Sequence, residues 1–380
     1  MKLVAATIYA LRIPFVEAFR HSTNERRWSD AVVMRVRDDE GNDGFGEGLP
    51  RPYVTGETVE TMVEHLAQDL WPALAGRPLP ELGDGAALGA VDAVIPPTTI
   101  AGVIADHASR AALELALLDC ALRRRRRPIA DLLPPRRRQV VYSGVVTAGS
   151  LDKALEHARQ MKVIGLKHVK VKVGFEVVVA RLRALRAVLG PEVSLRLDAN
   201  GAWTFARAVE VLTAVAPLGI ASVEQPLPRG PAAELVRLKA ASPVPLMVDE
   251  SLVTLADADA LIAARAVDYF NIRVSKCGGL ARSALIADRA AGAGVRIQVG
   301  SQVGETAILA AAGRHLAAAL DDVAFVEGSF GTLLLVEDVA TDSVRFGHRG
   351  MAPILTGVGL GIQVVEPRLR HYAQAVHELT

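Results

Sequence analysis

The chain contains little of what defines several large classes of protein. Cys120 and Cys277 are its only cysteines among 380 residues, too few for a disulfide framework, which favours a reducing compartment such as the cytoplasm. Aromatic residues make up 4 % and the formal net charge is +1, so neither a nucleic acid nor a membrane surface is an expected partner. No apolar run reaches the roughly 18 residues of a membrane-spanning helix. A soluble cytoplasmic enzyme is the class that these absences favour.

Two segments look like targeting or binding signals but have simpler interpretations. The N-terminal stretch MKLVAATIYALRIPF is interrupted by Arg12 and Pro14 and predicts a strand rather than a signal peptide. The five arginines at positions 123–127 follow the apolar-periodic stretch LELALLDCAL. Because a helix dipole favours cations at the C-terminal end, we expect a solvated helix end there rather than a nucleic-acid patch.

What the sequence does contain is a repeated unit of about 25 residues, which begins near Val140. Short β-branched runs alternate with Ala- and Leu-rich helical stretches, and the runs are VVYSGVVT, HVKVKVG, VSLRLDAN, IASVEQP, VPLMVDES, VDYFNIRVSK, VRIQVGS and VAFVEGS. Strands that alternate with helices indicate parallel βαβ units, and eight of them predict a (β/α) barrel. An open doubly wound sheet is the alternative, but no dinucleotide-binding loop follows the first strand.

Charged residues recur in phase with this repeat, at or near the C-terminal ends of the predicted strands. Lys172, Asp198, Glu224, Asp249 and Lys276 are separated by 26, 26, 25 and 27 positions. Strand C-terminal ends converge on one face of such a barrel, where the chemistry takes place. Any single carboxylate among them could instead be a helix N-cap. The full set in phase favours a functional site.

Three converging carboxylates predict a metal ion. Asp198, Glu224 and Asp249 would repel one another unless a cation neutralised them, and an all-oxygen ligand set favours Mg²⁺, or Mn²⁺, over softer metals. Zinc is not expected, because none of the nine histidines lies in an HExxH pattern and no paired-Cys pattern is present.

Lysines are predicted on both sides of this metal. Lys170 and Lys172 share one face of the strand before Asp198, and Lys276 follows the strand after Asp249. An ammonium beside another ammonium and a divalent cation loses its proton more easily, so Lys170 is expected to activate Lys172 as a base. A metal-bound carboxylate between opposed lysines is suited to removal of the α-proton through an enediolate intermediate.

At these residues the chain resembles the enolase superfamily, in particular the muconate lactonizing enzyme subgroup of the mandelate racemase/muconate lactonizing enzyme family. The matching motifs are KVKVG, LDANGAW, VEQP, VDES and VSKCGG, with GFGEGLPRPYVTGET and TGVGLGIQV resembling cap segments. The resemblance implies catalytic roles for Lys170, Lys172 and Lys276 and metal binding by Asp198, Glu224 and Asp249. Asn200 and Glu250 are expected to support these ligands.

The resemblance also implies a domain organisation. We expect an α/β protein with a modified TIM barrel of the (β/α)₇β type over residues 131–345. An α+β capping domain of residues 1–130 would cover it, residues 346–380 would return to that cap, and the protein would be a homo-oligomer.

The choice of reaction within the subgroup depends on what is absent. Lys276 and the His-free VGSQVGE stand where a mandelate racemase type would need a His–Asp pair. Muconate cycloisomerisation, dipeptide epimerisation, N-acylamino-acid racemisation and o-succinylbenzoate synthesis all use the shared residues. VAFVEGSFG lacks the Asp-x-Asp common in dipeptide epimerases, and we expect a muconate cycloisomerase-like isomerase, with the other reactions as alternatives.

Specificity is expected from the cap loops and the last barrel strands. Residues 19–28 would close over the site, where His21 and several arginines could meet a second anionic group, although a solvated loop explains the arginines equally well. Tyr53, Glu305 and Glu327 are further candidates for contact with a small carboxylate substrate. A catalytically silent barrel used for binding or assembly is the alternative outside enzymes, and the retention of three ligands and three lysines favours the enzyme.

Overall fold

The N-terminal part of the chain is built on an antiparallel sheet. The computed structural model describes residues 1–20, 25–79, 88–147, 149–174, 179–341 and 344–380. The first five strands are β1 (Leu3–Leu11), β2 (Ile13–Arg20), β3 (Glu25–Ser29), β4 (Val32–Asp38) and β5 (Asp43–Gly48). β2 and β3 form a separate pair, whereas β1 lies between β4 and the C-terminal strand Ala373–Leu379, with β5 beyond β4.

Four helices follow, and the last of them packs directly on β5. They are α1 (Val59–His65), which continues through a π-helical turn at Leu66–Leu70 into α2 (Trp71–Leu74), then α3 (Leu88–Val94) and α4 (His107–Arg124). Glycine occupies every second position of β5, at Gly44, Gly46 and Gly48, and a Cβ atom at any of them would overlap the α4 backbone. Because strand side chains alternate, Glu47 points to the opposite face. It therefore reaches away from α4.

The larger part of the chain is an eight-stranded parallel sheet in sequential order. After the short strand β6 (Gln139–Val141), its strands are β7 (Gly144–Val146), β8 (His168–Lys172), β9 (Ser194–Asp198), β10 (Ile220–Glu224), β11 (Leu246–Val248), β12 (Tyr269–Ile272), β13 (Arg296–Val299) and β14 (Phe325–Val326). The intervening helices are α5 (Leu151–Ile164), α6 (Val179–Leu189), α7 (Phe205–Val215), α8 (Ala232–Ala241), α9 (Leu255–Ala263), α10 (Leu280–Gly292) and α11 (Ala307–Ala319). Eight strands with seven helices between them confirm the predicted (β/α)₇β barrel.

The first predicted run, VVYSGVVT, forms two strands rather than one. β6 pairs antiparallel with β15 (Met351–Pro353), and only β7 joins the barrel sheet. The backbone changes partner in between, because the Tyr142 N–H donates to Gly350 O at 2.7 Å whereas the Ser143 N–H donates to Val326 O at 2.8 Å. The second bond brings the start of the barrel against its last strand.

The C-terminal segment returns to the antiparallel sheet. Helix α12 (Glu366–Tyr372) leads into β16 (Ala373–Leu379), which pairs antiparallel with β1. This pairing supports the predicted cap of N- and C-terminal segments, while the division at residues 130 and 345 stays a prediction. No helix in the described part of the chain has the length and apolar character of a membrane span.

The arginines at the end of α4 form intramolecular ion pairs, whereas the sequence predicted only a solvated helix end. Arg124 contacts Asp38 at 3.1 Å and Asp39 at 2.6 Å. Arg123 contacts Asp119, one turn earlier in the helix, at 2.8 Å. These contacts link the end of α4 to the turn between β4 and β5.

Candidate active site

The register of three neighbouring strands places the first predicted site residues side by side. Lys172 on β8 is the partner of Asp198 on β9, and Asp198 is in turn the partner of Glu224 on β10. Asp249 follows the last residue of β11, and its N–H donates to the Gln225 side chain at 3.0 Å. Because the strands are parallel, all these positions lie at the C-terminal edge of the barrel. The valines of β8 are buried on the opposite face, as predicted.

The two lysines of β8 contact carboxylates inside the barrel. The Lys172 ammonium lies 2.6 Å from Asp198 Oδ2. Lys170 lies 3.2 Å from Asp198, 3.3 Å from Glu224 and 2.6 Å from Glu327. Burial acts to lower the pKa of Lys170, but these carboxylates raise that pKa above its ordinary value. These contacts favour the ammonium form of Lys170.

Lys276 approaches the same carboxylates from the segment between β12 and α10. Its ammonium donates to the backbone oxygens of Asp249 at 2.7 Å and Asn271 at 2.8 Å, and it lies 3.0 Å from Asp249 Oδ1. The side chain is fully buried. The structure thus brings Lys172 to Asp198 and Lys276 to Asp249, with β9, β10 and β11 between the two lysines in the sheet order.

Arg273 lies in the middle of this cluster. Its guanidinium donates to Asp249 and lies 3.5 Å from Glu224. Sequence analysis did not identify this residue, although it stands 24 positions after Asp249 and therefore keeps the 25-residue spacing. That spacing was the signal that could have found it.

The charges of the cluster shift the proton affinity of its carboxyl groups in different directions. Burial acts to raise the pKa of Asp198, yet Lys172 and Lys170 hold it below its usual range. Burial and the charge of Asp198 raise the pKa of Glu224. Burial and the charges of Asp249 and Asp198 raise the pKa of Glu250 to about 7. Negative charge is thus in local excess near Glu224 and Glu250.

The predicted metal ligands lie close together but are separated by cationic side chains. As they stand, no three carboxylate, imidazole or thiolate groups in the described ranges are placed to hold one ion, since Lys170 and Arg273 lie between the carboxylates. The donor set nevertheless fits a hard divalent cation, because Asp198, Glu224 and Asp249 offer only oxygen atoms. The buried Glu250 Oε2 also lacks a hydrogen-bond partner.

The two predicted supporting residues meet beside these carboxylates. The Asn200 side chain donates to Glu250 Oε1 at 3.2 Å, and Lys172 donates to Asn200 Oδ1 at 3.1 Å. The Asn200 N–H donates to Asp198 Oδ1 at 3.1 Å. Asn200 therefore connects Lys172, Asp198 and Glu250 in one hydrogen-bonded group.

A cavity opens onto part of the cluster. Its described lining includes Tyr53, Lys170, Lys172, Asn200, Glu250, Arg273, Gln302, Glu305, Glu327 and Phe330. Lys276, Asp198, Glu224 and Asp249 lie behind this lining, and Arg273 is the side chain that touches both the cavity and the latter two carboxylates. Lys170 and Lys172 also line the cavity and contact Asp198, so three cationic side chains separate the cavity from the carboxylates.

The predicted substrate-binding residues differ in their surroundings. His21 lies outside the described residues. Tyr53 lines the cavity and is 54 % exposed. Both oxygens of Glu327 are occupied, one by Lys170 at 2.6 Å and one by Arg196 at 2.8 Å. Burial raises the pKa of Glu305 to about 8, so this carboxyl is mostly neutral at pH 7. A role in substrate binding stays a prediction for each.

A layer of polar side chains inside the barrel also escaped sequence analysis. Asn271 donates to Glu224 Oε1 at 2.8 Å, and Gln298 donates to Glu224 Oε2 at 3.0 Å. Arg196 stacks over the Phe325 ring at 4.0 Å, beside its ion pair with Glu327. Arg196 lies two positions before the end of β9, and Asn271 and Gln298 lie one position before the ends of β12 and β13. Side chains alternate along a strand, so these positions point into the barrel. This alternation was the signal that could have identified them.

Comparison with known proteins agrees with this geometry. Residues 3–134 match the mandelate racemase / muconate lactonizing enzyme N-terminal domain, and residues 153–368 match the enolase C-terminal domain-like family. The chain is 28 % identical over 379 residues to the N-succinyl-L-Arg/Lys racemase of Bacillus cereus, covering 97 % of each chain. The crystal structure of that racemase superposes with a TM-score of 0.90 at 27 % identity, covering 100 % of both chains.

Two further relatives carry other activities. Muconate cycloisomerase 1 of Pseudomonas putida is 29 % identical over 358 residues, covering 90 % of each chain. The dipeptide epimerase of Cytophaga hutchinsonii, solved in complex with Mg and D-Ala-L-Val, superposes with a TM-score of 0.88 at 26 % identity and full coverage of both chains. Similarity alone therefore does not select one reaction.

Proposed function

Because the chain belongs to the mandelate racemase/muconate lactonizing enzyme family of the enolase superfamily, we propose that it is a metal-dependent isomerase that moves the proton α to a substrate carboxylate, as a racemase or epimerase of N-acylamino acids or dipeptides. The observation that carries the proposal is the pair of lysines that reach one carboxylate cluster from β8 and from the segment after β12, Lys172 at Asp198 and Lys276 at Asp249. Inversion at a carbon needs one base to remove the proton and a second acid to return it from the other side.

The side chains of the cluster divide the remaining work. Lys172 and Lys276 exchange the α-proton with the two faces of the substrate, while Lys170 remains an ammonium that holds Glu327 and Glu224 in place. Asp198, Glu224 and Asp249 are the residues that would hold Mg²⁺, and Mn²⁺ suits the same oxygen donors. When bound, such an ion stabilises the negative charge that develops on the substrate carboxylate.

Arg273 has to release its carboxylates before they can share a metal ion. Its guanidinium contacts Asp249 and Glu224, two of the three proposed ligands, and borders the cavity. An ion would supply the positive charge that Arg273 supplies in its absence. The freed guanidinium would then face the cavity, where it can pair with the substrate carboxylate.

The rest of the cavity lining supports an amide-containing substrate over a second carboxylate. All lysines and arginines in the described lining, Lys170, Lys172 and Arg273, already face carboxylates. Both amide atoms of the buried Gln302 lack hydrogen-bond partners, and Glu305 beside it is mostly neutral. An amide group offers one donor and one acceptor, which match Gln302. Muconate offers a second carboxylate instead, so cycloisomerisation is less well supported.

Exchange of the α-proton with solvent tests this proposal. The protein is incubated in D₂O with N-acetyl- and N-succinyl-L-arginine, with L-alanyl-L-phenylalanine and with cis,cis-muconate, and deuterium incorporation and lactone formation are followed by NMR. We expect deuterium at the α-carbon of an N-acylamino acid or the dipeptide. The exchange should stop with EDTA and return with Mg²⁺.

Variants of the two lysines distinguish the outcomes. Lys172→Ala and Lys276→Ala should each lower net inversion by at least about 10³-fold, because each removes one of two required proton-transfer groups. Lactone formation from muconate without α-exchange elsewhere would support the cycloisomerase. No reaction with any compound would favour a barrel without catalytic function, and exchange that survives EDTA would contradict the metal-dependent reaction.

A further inference from the structure

Lys276 stands on a loop, and the contacts that hold the backbone on both sides of this lysine come from the cap. The loop runs from the end of β12 to the start of α10, so no strand register fixes its lysine. Three backbone bonds shape it from within, from Cys277 N to Arg273 O at 2.9 Å, from Gly279 N to Val274 O at 2.9 Å and from Gly278 N to Ser275 O at 3.5 Å. They leave the position of the loop relative to the barrel to be set by its neighbours.

We propose that His107 and Glu114, on α4 of the cap, are positioning residues that fix the loop carrying Lys276. The proposal rests on the proton-transfer role given to Lys276 above. Neither residue touches the cavity or the carboxylate cluster. Each acts through the backbone on one side of Lys276.

His107 holds the lysine itself. Its Nδ1 lies 2.8 Å from the carbonyl oxygen of Lys276, and its Nε2 lies 3.2 Å from Arg282 Nη1. Because arginine can only donate, Nε2 is the acceptor and Nδ1 carries the proton that it donates to Lys276 O. Burial lowers the pKa of His107 to about 4, which agrees with this neutral ring. Arg282 is held in turn by Asp92 at 2.9 Å.

Glu114 holds the end of the loop. Its carboxylate accepts hydrogen bonds from the N–H groups of Leu280 and Ala281, the first two residues of α10, and the second bond is 3.1 Å long. Gly279 lies so close to this carboxylate that a Cβ atom there would overlap it. On the other side of Lys276, Ser275 Oγ accepts the Leu49 N–H of the cap at 2.9 Å.

The consequence of these contacts is geometric. The Lys276 ammonium is anchored to backbone oxygens of Asp249 and Asn271, while its own carbonyl is anchored to α4. Loss of the His107 bond frees one end of the side chain to shift. A displacement of about 1 Å at a reacting group can cost about 100-fold in rate, and loss of an orienting partner typically costs about 10- to 100-fold.

A stereospecific measurement separates positioning from folding. We measure α-proton wash-out in D₂O for both enantiomers of the N-acylarginine, or both epimers of the dipeptide, that the wild-type protein exchanges. Lys276→Ala first identifies the isomer whose proton Lys276 removes. His107→Ala should slow exchange of that isomer about 10- to 100-fold and change exchange of the other less than about 3-fold. His107→Asn, whose amide can donate to the same carbonyl, should restore part of the rate.

His315 provides a matched control. It is a buried histidine on α11 whose Nε2 lies 3.0 Å from the Leu360 carbonyl oxygen, and burial lowers its pKa to about 4 as well. His315→Ala should affect both isomers equally. The inference is overturned if His107→Ala slows both isomers to the same extent or neither of them. Absence of exchange in the wild-type protein would instead remove the proposed function, and this inference with it.

Discussion

The two lysines of the site, Lys172 and Lys276, are held in position by different parts of the molecule. Lys172 stands on a barrel strand whose register places it beside Asp198, and its ammonium contacts the side chains of Asp198 and Asn200. Lys276 stands on a loop, its ammonium binds two backbone oxygens, and the cap holds that loop. The position of Lys172 thus depends on charge balance inside the barrel, and the position of Lys276 depends on contact between the cap and the barrel.

A second loop of the later barrel strands follows the pattern of Lys276. Ser29 donates to Gly304 O at 2.5 Å, and Arg51 donates to Val303 O at 2.7 Å. Glu47 accepts from Thr306 N at 2.9 Å at the start of α11. The cap therefore organises both loops that follow β12 and β13, whereas Asp198 and Glu224 are the last residues of barrel strands and Asp249 directly follows β11.

The largest effect on stability is expected from breaking the charge balance beside Lys172, where Lys170 contacts both Asp198 and Glu327. Glu327→Gln removes the carboxylate charge that faces Lys170 and Arg196. It leaves two buried cations with too few partners, which should cost about 4 kcal/mol in the free energy of unfolding. Urea unfolding at pH 7 measures it.

Glu305→Gln is the control for that variant, because the Glu305 carboxyl has a pKa of about 8 and loses little charge at pH 7. Its cost should stay below about 1 kcal/mol. Equal destabilisation by the two substitutions would show that charge is not what holds the Lys170 side.

A steric change in the loop that carries Lys276 should have a somewhat smaller effect on the free energy of unfolding. Gly279→Ala places a methyl group against the Glu114 carboxylate, at a residue whose φ is +112°. Both the overlap and the backbone strain oppose folding, by about 3 kcal/mol together. Thermal unfolding checks this.

Gly294→Ala, at a φ of +72° with open space around its Cβ, isolates the strain and should cost about 1 kcal/mol. If both alanines cost the same, the contact between Glu114 and the loop adds nothing.

The smallest effect is expected from pH, through the cap residue that holds the other loop. Burial raises the pKa of Glu47 from 4.5 to about 7, so the folded protein keeps a proton there that the unfolded chain has lost. The contribution of the protonated Glu47 carboxyl to the free energy of unfolding is complete below about pH 4.5 and is lost as the pH rises toward 7. Across this pH range the free energy of unfolding should therefore fall by up to about 2 kcal/mol more in the wild-type protein than in Glu47→Gln. Urea unfolding at pH 5 and pH 7.5 provides the comparison, and parallel pH profiles would contradict the shift.

The difference between the two lysines also separates the features that a single sequence reveals from those that depend on distant contacts. The barrel and the phase of Lys172, Asp198, Glu224, Asp249 and Lys276 follow from local periodicity, which a single sequence displays. The division of residues 140–146 into two strands depends on Gly350 and Val326, which are distant in sequence. The contact of His107 with Lys276 spans 169 positions, and no local pattern marks it. Arg273 was within reach, because it shares the spacing of its neighbours.

We expect one divalent ion to be held by carboxylates from three neighbouring strands, between lysines that reach it from two sides. The decisive measurement is a crystal structure of the protein grown with Mg²⁺ and the achiral substrate analogue N-acetylglycine. We expect one ion bound by Asp198, Glu224 and Asp249, with Arg273 released from Asp249 and with Lys172 and Lys276 on opposite faces of the ligand. Density that shows Arg273 still bound between Glu224 and Asp249, with no ion at saturating Mg²⁺, would contradict it.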